Sequence, residues 1–333
     1  MFVIRPARMG DMEQLERCVT AADVGMTHPP RHRQGLESVI QRSVDALQRQ
    51  IDIIENEVYL FVLEDLSTQT IGGICSILAN VGVQHPFYVF HIEEASPLPP
   101  PLPPLLEKRL LRLGVYEGKA SEVCALYLTP EFRKEGLGKL LSLSRFLFIA
   151  NFPNRFQETL IANMRGVISN HHTPFWDHLG RRFLNISFKE VMALREKGEQ
   201  FVPSLFPPYP FPVALLSEEA SKVIEAVNVD AQPALAMLLR EGFTRSAQID
   251  PFDGGPILHA NKRSTRVLRE SQVRKVGKIQ DKVDGEKALL ANTDPQFLAC
   301  YGSLMQDSKK NWIIEKAVAE ALKVEVGDWV RAI

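Results

Sequence analysis

The sequence predicts an α+β fold in which helices flank a mixed, mostly antiparallel sheet. Two β-rich runs, residues 59–63 and 71–78, surround a short polar turn, a pattern typical of a β-hairpin. A further apolar run at residues 126–128 leads through a glycine-containing turn into an amphipathic helix that continues to residue 148. These two units predict the centre of the sheet and the helix that covers it.

The N-terminal elements follow from the same patterns. Residues 2–4 form a short apolar run that stops at Pro6, and Asp11 can then cap a helix. A second helical period covers residues 37–54. This order, strand, two helices and hairpin, is predicted to build the first side of the sheet.

The chain is predicted to divide into three parts. Two helical periods end in a glycine, Gly180 or Gly242, and each glycine fits the left-handed residue that ends a helix. Their weak similarity predicts two related halves, residues 1–190 and 191–264. The charged stretch that follows, residues 265–333, is predicted to form a small α/β subdomain. Its predicted elements are a helix at residues 313–322 and a strand at residues 326–331.

Composition excludes several classes of function. The chain has 333 residues, 45% hydrophobic and 24% charged, so it can bury a sizeable core. Lys and Arg number 39 and Asp and Glu 40, and this balance gives no electrostatic footprint for nucleic acid or an anionic membrane. No apolar stretch approaches the roughly 20 residues that span a bilayer. A soluble cytoplasmic protein is expected, with Cys18, Cys75, Cys124 and Cys300 as separate, reduced thiols.

A proline-rich segment interrupts the strand order at residues 96–104. Its prolines cannot join a ladder or a helix interior, so the segment is predicted to be an extended polyproline II spacer on the surface. A docking ligand for aromatic grooves is the alternative interpretation.

The turn before the amphipathic helix has the composition of an anion site. The first N–H groups of a helix have no internal partner, and the helix dipole adds partial positive charge there. Gly136 and Gly138 let the backbone approach a bulky anion, while Arg133 and Lys139 add countercharge. This fits a pyrophosphate, although neither the Walker spacing nor a ribose-binding acidic residue is present.

The pattern Arg-x-x-Gly-x-Gly between a strand and a helix resembles the acyl-CoA loop of GNAT-type acyltransferases. Arg133, Gly136 and Gly138 occupy the motif positions, and a glycine-rich connection that only caps the helix is the alternative. The resemblance implies a GNAT-type acyltransferase fold. It also implies that the pyrophosphate of acyl-CoA contacts Arg133, Lys134, Gly136, Leu137, Gly138 and Lys139.

A longer resemblance covers nearly the whole chain. The sequence is similar to the arginine N-succinyltransferase family at residues 59–65, 73–75, 121–124, 132–136, 140–142, 144–150, 164–167, 174–176, 233–234, 241–243 and 250–256. This implies transfer of succinyl from succinyl-CoA, a co-substrate, to the α-amino group of arginine in arginine catabolism; some members also take ornithine. Enzymes of this kind are commonly dimers, so a homodimer is expected, although no part of the sequence identifies an interface.

The resemblance also assigns candidate catalytic residues. An amine attacks a thioester only when neutral, so a base is needed, and a backbone N–H must stabilise the oxyanion. Leu126 matches the family's succinyl-CoA contact, and an ordinary core position is its alternative. Asn228 stands where the family has its catalytic histidine; an amide cannot shuttle protons, so capping a helix is the alternative. Glu122 is a substitute base, or else a solvated strand-end carboxylate.

Other departures leave two functions open. The family's Met-Pro-Lys-His-Pro run is replaced at residues 206–210, and its polar segment before residue 121 is replaced by the proline run and residues 105–117. The chain is therefore either a CoA-dependent N-acyltransferase or a catalytically impaired acyl-CoA-binding protein or sensor; a different amine acceptor is a further alternative. His171, His172 and His178 lack the spacing of a zinc site, so no metal is expected.

Overall fold

The computed structural model describes residues 1–22, 29–83, 85–116, 118–134, 136–198 and 200–333. Within these ranges fifteen strands form one continuous sheet. The strands are β1 (Phe2–Pro6), β2 (Val58–Asp65), β3 (Thr70–Leu78), β4 (Tyr88–Glu94), β5 (Arg109–Val115), β6 (Ala120–Leu128), β7 (Thr159–Asn163), β8 (Phe211–Pro212), β9 (Thr244–Ile249), β10 (Pro256–Asn261), β11 (Gln272–Gln280), β12 (Glu286–Asn292), β13 (Ala299–Gln306), β14 (Trp312–Glu315) and β15 (Trp329–Ala332).

Helices cover this sheet. They are α1 (Met12–Ala21), α2 (Arg33–Gln48), α3 (Leu137–Asn151), α4 (Pro174–His178), α5 (Arg181–Leu184), α6 (Phe188–Arg195), α7 (Val202–Leu205), α8 (Glu218–Lys222), α9 (Gln232–Arg240), α10 (Arg266–Glu270) and α11 (Lys316–Leu322). None of the helices in the described ranges combines the length and the hydropathy needed to cross a bilayer.

The sheet is mixed and mostly antiparallel, as predicted. Its strand order is β12-β15-β11-β14-β13-β1-β2-β3-β6-β7-β10-β9-β4-β5-β8. Among the described strands only the β6–β7 and β11–β14 pairs are parallel. The predicted hairpin is confirmed as β2 and β3, which pair antiparallel from Val58 with Leu78 to Asp65 with Thr70.

Helix α3 lies at the centre of the main core. Its side chains are buried almost all the way round, because the helix is enclosed by the sheet, α9, α10 and the C-terminal strands. Phe148 of α3 contacts Tyr59 and Phe61 of β2 with ring centroids 5.0 Å apart, and Phe297 lies 5.3 Å away. This aromatic packing anchors the C-terminal part of α3 to the sheet.

A second core lies beneath β4, β5 and β9. This core contains Phe90 of β4, Trp176 and Phe252, and the rings of Trp176 and Phe252 stack with centroids 5.8 Å apart. It therefore includes residues from both sides of the predicted boundary at residue 190. That boundary stays a prediction. The proline-rich segment connects β4 to β5, and residues 96–106 are exposed, in agreement with a surface position.

The C-terminal strands close into a ring. β12 pairs with both β15 and β13, which joins the five strands β11 to β15 into a closed array around its own apolar core. The helix predicted from residue 313 begins only at Lys316. Residues 312–315 form β14 instead, because Trp312 and Ile314 alternate into the core with the period of a strand.

The two predicted helix-ending glycines have different roles. Gly242 is left-handed (φ 96°), as predicted. Gly180 is right-handed (φ −63°, ψ −40°), so that prediction was wrong. A Cβ at position 180 would lie 2.1 Å from Cε3 of Trp176, so this glycine allows the backbone to pack directly against the indole ring.

Candidate active site

A cleft of about 1320 Å³ opens between β6 and β7. The two strands pair only over residues 120–122 and 159–161, although β6 continues to Leu128 and β7 to Asn163. Beyond Glu122 the strands diverge, and residues of both line the cleft. The parallel pair therefore creates a wedge-shaped opening with backbone groups along its walls.

Strand β6 is bulged where it enters the cleft. Ser76 of β3 pairs with Cys124 of β6, and Ile74 of β3 pairs with Tyr127 of β6. The two pairs are two residues apart on β3 but three residues apart on β6. One extra β6 residue is therefore accommodated, and Ala125 takes a left-handed conformation (φ 54°). Leu126 lies within this bulge and lines the cleft, next to the backbone that was predicted to meet the thioester.

The glycine turn forms one end of the cleft. Gly136 is the N-cap of α3 with φ 74°, a conformation that favours glycine, and no atom lies within 4 Å of where its Cβ would stand. Gly138 also lines the cleft; its Cβ would have only an ordinary contact, 3.6 Å, with Leu128. The turn is open to a ligand. Glu135 lies outside the described residues.

Only some N–H groups of this turn remain available. The N–H of Leu137 donates to the carbonyl of Lys134, and the N–H of Lys139 donates to that of Gly136. Among the described residues, the N–H groups of Gly136 and Gly138 have no backbone acceptor. The N–H groups of Leu137 and Lys139 are therefore not open donors, which corrects the expectation of a full set at this turn.

Three cations surround the turn. Arg133, Lys134 and Lys139 are exposed and line the cleft. The Nε–H of Arg133 donates to the carbonyl of Leu128 at 3.1 Å, which holds the guanidinium beside the turn. Leu137 differs from its predicted role: its side chain is 2% exposed and packs in the main core, because the helix turns that position inward.

Asn228 lies beside the cleft but is occupied by structural contacts. Its Oδ1 accepts hydrogen bonds from Arg165 and from the N–H of Asp230, both at 3.0 Å. Its Nδ2 donates to the carbonyl of Ile168 at 3.0 Å, and the residue is 4% exposed. Asn228 caps a 3₁₀ helix at Val229–Ala231, which corresponds to the alternative role predicted for it rather than to proton transfer.

These contacts predict a clear effect on stability. Asn228→Ala removes a buried amide and leaves its partners unsatisfied, so the free energy of unfolding should fall by about 1–3 kcal/mol in urea denaturation. Asn261→Ala is the matched control, because Asn261 caps a 3₁₀ helix with the single side-chain contact Oδ1 to Arg263 N–H. A loss no larger than that of the control would contradict the assigned role.

Glu122 occupies the last rung before β6 and β7 diverge. It is half-buried, lines the cleft, and pairs through its backbone with Leu78 and Ile161. Burial, and then the charge of Glu122, raise the pKa of the Cys124 thiol well above its usual value. Cys124 therefore stays a neutral thiol and is unsuited to act as a nucleophile.

The other end of the cleft contains an acidic pair that the sequence did not single out. Asp250 is 3% exposed at its side chain and forms a salt bridge with Arg195 at 2.9 Å. It also accepts hydrogen bonds from Asn163 at 2.9 Å and from the N–H of Phe252 at 2.8 Å. Asp250 is therefore a paired, fully bonded carboxylate.

Asp253 is the second member of this pair and has a different environment. Its carboxylate accepts the N–H groups of Gly166 at 2.9 Å and Gly255 at 2.8 Å. Burial, and then the charge of Asp250, raise the pKa of Asp253 to about 7. A carboxylate with a pKa near neutrality that lines a cleft is suited to accept and release a proton.

Glycines allow the two loops that build the acidic end to touch. A Cβ on Gly166 would lie 2.3 Å from the carbonyl oxygen of Asp253, and a Cβ on Gly255 would lie 2.0 Å from that of Met164. Both loops belong to strings that resemble the succinyltransferase family. In the string at residues 250–256, two glycines that follow two aspartates are the signal that could have identified the site.

The three histidines considered as metal ligands, His171, His172 and His178, lie at the surface. Nδ1 of His172 is 3.2 Å from Asp177, and Nε2 of His178 is 3.2 Å from Glu219. In the part of the chain that the structure describes, no three His, Cys, Asp or Glu side chains come together as a metal site.

Comparison with known proteins identifies the family. Residues 2–267 match the family model for the arginine N-succinyltransferase beta subunit, and residues 269–333 match the model for its C-terminal domain. Proteins named arginine N-succinyltransferase from Shigella sonnei (strain Ss046) and Escherichia coli O139:H28 are 35% and 34% identical over 336 residues, which cover 100% of this chain and 97% of each relative.

A solved structure agrees with these matches. Arginine/ornithine succinyltransferase subunit AI from Pseudomonas aeruginosa superposes with a TM-score of 0.90 at 30% identity, covering 100% of this chain and 98% of that one. The resemblance predicted from the sequence is thus confirmed over the full length. The chain belongs to the arginine N-succinyltransferase family of acyltransferases.

Proposed function

We propose that this protein transfers the succinyl group of succinyl-CoA to the α-amino group of arginine. The observation that carries the proposal is one continuous cleft that runs from the glycine turn, past the bulge of β6, to the acidic pair. The pyrophosphate of CoA lies at the turn, with the N–H groups of Gly136 and Gly138 as donors and Arg133 as a countercharge. The thioester lies along β6 at Leu126.

The acceptor binds at the acidic end. A protonated α-amine is not nucleophilic, and Asp253, with a pKa near 7, accepts its proton. The neutral amine then attacks the thioester carbonyl, and the resulting oxyanion is stabilised by a backbone N–H of the bulged strand. When the intermediate collapses, the C–S bond breaks, the CoA thiolate takes up the proton lost from the attacking nitrogen, and Asp253 releases the proton it accepted to solvent. Transfer is direct, because the raised pKa of Cys124 disfavours a thiolate that would form a covalent intermediate.

Binding and turnover are measured in two steps. Succinyl-CoA is titrated into the protein by calorimetry, and arginine is then added while free CoA thiol is followed with a thiol reagent. The expected result is saturable binding followed by arginine-dependent thiol release. Ornithine and other amines are assayed beside arginine to identify the acceptor. Absence of succinyl-CoA binding would overturn the proposal.

Asn228 favours a second function, that of an acyl-CoA-binding protein without turnover. It replaces the histidine of the family pattern, and its amide is engaged in structural hydrogen bonds. Succinyl-CoA binding without thiol release across the amine panel would support this second function and contradict the first.

The turn is tested by Gly138→Ala. The added methyl meets only Leu128 Cδ1 at 3.6 Å, so the fold tolerates it, but it projects beside the donors proposed to hold pyrophosphate. Succinyl-CoA affinity should fall by about 1–3 kcal/mol, which is roughly fivefold to more than a hundredfold in Kd.

Gly10→Ala is the matched control for that variant. No atom lies within 4 Å of the added methyl, and Gly10 is not among the residues that line the cleft. Its Kd should equal that of the wild type. An unchanged Kd in Gly138→Ala would argue against the turn as the pyrophosphate site.

A further inference from the structure

Arg145 is a buried cation that donates hydrogen bonds within α3 and to β6 but has no role in the proposed proton transfer. It lies on α3, two turns after the glycine turn, and is 2% exposed. Burial lowers its pKa. The guanidinium has no carboxylate within salt-bridge distance among the described residues. Removing an arginine from water without a counter-anion is strongly unfavourable, so its presence calls for an explanation.

Other buried arginines of this chain are paired with acids. Arg5 bonds to both Asp11 and Glu64, and Arg195 pairs with Asp250. Within the described part of the chain, Arg145 donates to neutral acceptors, and no carboxylate forms a salt bridge with it as Asp11, Glu64 and Asp250 do with the other two arginines.

The guanidinium has unused donors at the wall of the cleft. Its Nε–H donates to the carbonyl of Ser142 at 3.2 Å, its Nη1 to the carbonyl of Cys124 at 3.2 Å, and its Nη2 to Ser142 Oγ at 3.0 Å. A guanidinium has five N–H groups, so one N–H on each terminal nitrogen has no acceptor among the described residues. Two such donors match the two oxygens of a carboxylate.

The position of Arg145 connects this cation to the acyl group. Arg145 lines the cleft, and its Nη1 is hydrogen-bonded to Cys124, the residue directly before the bulge at Ala125. The proposed thioester lies along the same bulge. A short acyl chain that extends from the thioester into the wall therefore reaches the guanidinium.

We propose that Arg145 binds the distal carboxylate of the acyl donor, so that the cleft selects a dicarboxylic acid monothioester over an acyl-CoA that ends in a methyl group. This inference rests on the proposed function, since it requires the acyl-CoA to bind at the glycine turn. It assigns specificity for the acyl group to a residue of α3, separate from the acidic pair proposed to bind the acceptor.

Arg145→Met tests the assignment by binding alone. Kd values for succinyl-CoA, butyryl-CoA, which replaces the carboxylate by a methyl group, and CoA are measured by calorimetry with wild type and variant. Wild type should prefer succinyl-CoA over butyryl-CoA by at least about tenfold, the effect of a charge-assisted hydrogen bond. Arg145→Met should abolish this preference and leave the Kd of CoA unchanged. Arg145→Lys, which keeps the positive charge but loses the paired N–H groups of the guanidinium, should retain part of the preference for succinyl-CoA.

The possible results are separable. If Arg145→Met weakens the binding of succinyl-CoA and of butyryl-CoA by the same factor, Arg145 only supports the shape of the cleft, and the inference is overturned. A wild type without acyl preference would overturn it as well, while normal CoA affinity would leave the turn assignment intact. Failure of wild type to bind any CoA ligand would overturn both this inference and the proposed function.

Folding of the variants is checked by thermal denaturation. Met matches the length of the arginine stem and removes an unpaired buried charge, so the melting temperature should be unchanged or higher. If Arg145→Met does not fold, the wild type and Arg145→Lys still test the inference. It is contradicted if the wild type binds succinyl-CoA and butyryl-CoA equally well. It is also contradicted if Arg145→Lys prefers succinyl-CoA over butyryl-CoA as strongly as the wild type does, because the bidentate guanidinium would then not be needed.

Discussion

Asp253→Asn is expected to lower kcat/KM by about 10²–10⁴-fold, because the variant loses the general base. In the wild type, activity should rise with pH through about 7, since only the ionised carboxylate accepts the proton from the α-ammonium group. The variant should lack this limb of the pH profile. Steady-state thiol release as a function of arginine concentration, at pH values from 5.5 to 8.5, gives kcat/KM at each pH and so measures both effects.

The same group predicts a pH dependence of stability. Folding raises the pKa of Asp253 from its ordinary value of 3.8 to about 7, because the carboxyl is buried and lies beside Asp250, while Arg195 opposes the shift. Between these values the folded state binds more protons than the unfolded state. This contribution to the free energy of unfolding therefore falls as pH rises from 4 to 7, and the fall should be absent in Asp253→Asn.

Asp230→Asn is the matched control for both measurements. Asp230 also lines the cleft, but its side chain is 66% exposed and lies 3.5 Å from Arg165 at the rim. Its removal should leave the pH limb near 7 in place. An Asp253→Asn enzyme that keeps both its activity and its pH limb would exclude Asp253 as the base and direct attention to Glu122.

Arg195→Met is expected to have the largest effect on stability, a loss of about 3–5 kcal/mol, because it leaves Asp250 buried without its counter-ion. The guanidinium also lies 4.5 Å above the ring of Phe252, and methionine replaces only part of that contact. Since Arg195 lowers the pKa of Asp253, its loss should also move the activity limb to a pH above about 7.

Urea denaturation and the pH profile of thiol release check these two effects. Arg263→Met is the control, because Arg263 forms a salt bridge with Glu158 at 3.1 Å while its side chain is 79% exposed. An exposed pair contributes about 0–1 kcal/mol. Comparable losses in the two variants would show that the Arg195–Asp250 pair is not a buried, coupled unit.

Much of the fold could be predicted because its signals are local in the sequence. The β2–β3 hairpin follows from two apolar runs and a polar turn, and the unit from β6 through Gly136 to α3 is continuous in the chain. Residues 313–315 were misassigned to a helix, because a short buried segment beside a helix has no decisive periodicity. Gly180 was misassigned because its packing partner, Trp176, is recognised only in three dimensions.

In the candidate site too, the residues with local sequence signals were predicted and those that depend on distant contacts were not. The turn residues were found because their glycine spacing lies within one short string. The properties of Asp253 depend instead on contacts from distant parts of the chain: the N–H of Gly166 is 87 residues away, and the salt bridge of the neighbouring Asp250 comes from Arg195, 55 residues away. A raised pKa depends on burial and neighbouring charge, neither of which can be read from Asp253 and its sequence neighbours.

The closed ring at one end of the sheet affects how copies of this protein can associate. Strands with free backbone donors and acceptors act as templates for a neighbouring chain. Here the ring satisfies both sides of β12, and the opposite margin of the described sheet is β8, a two-residue strand that ends in Pro212. Self-assembly by strand addition is therefore disfavoured at the ring, whereas β8 pairs only with Leu110 and Leu111 and leaves the rest of the outer edge of β5 without a described partner strand.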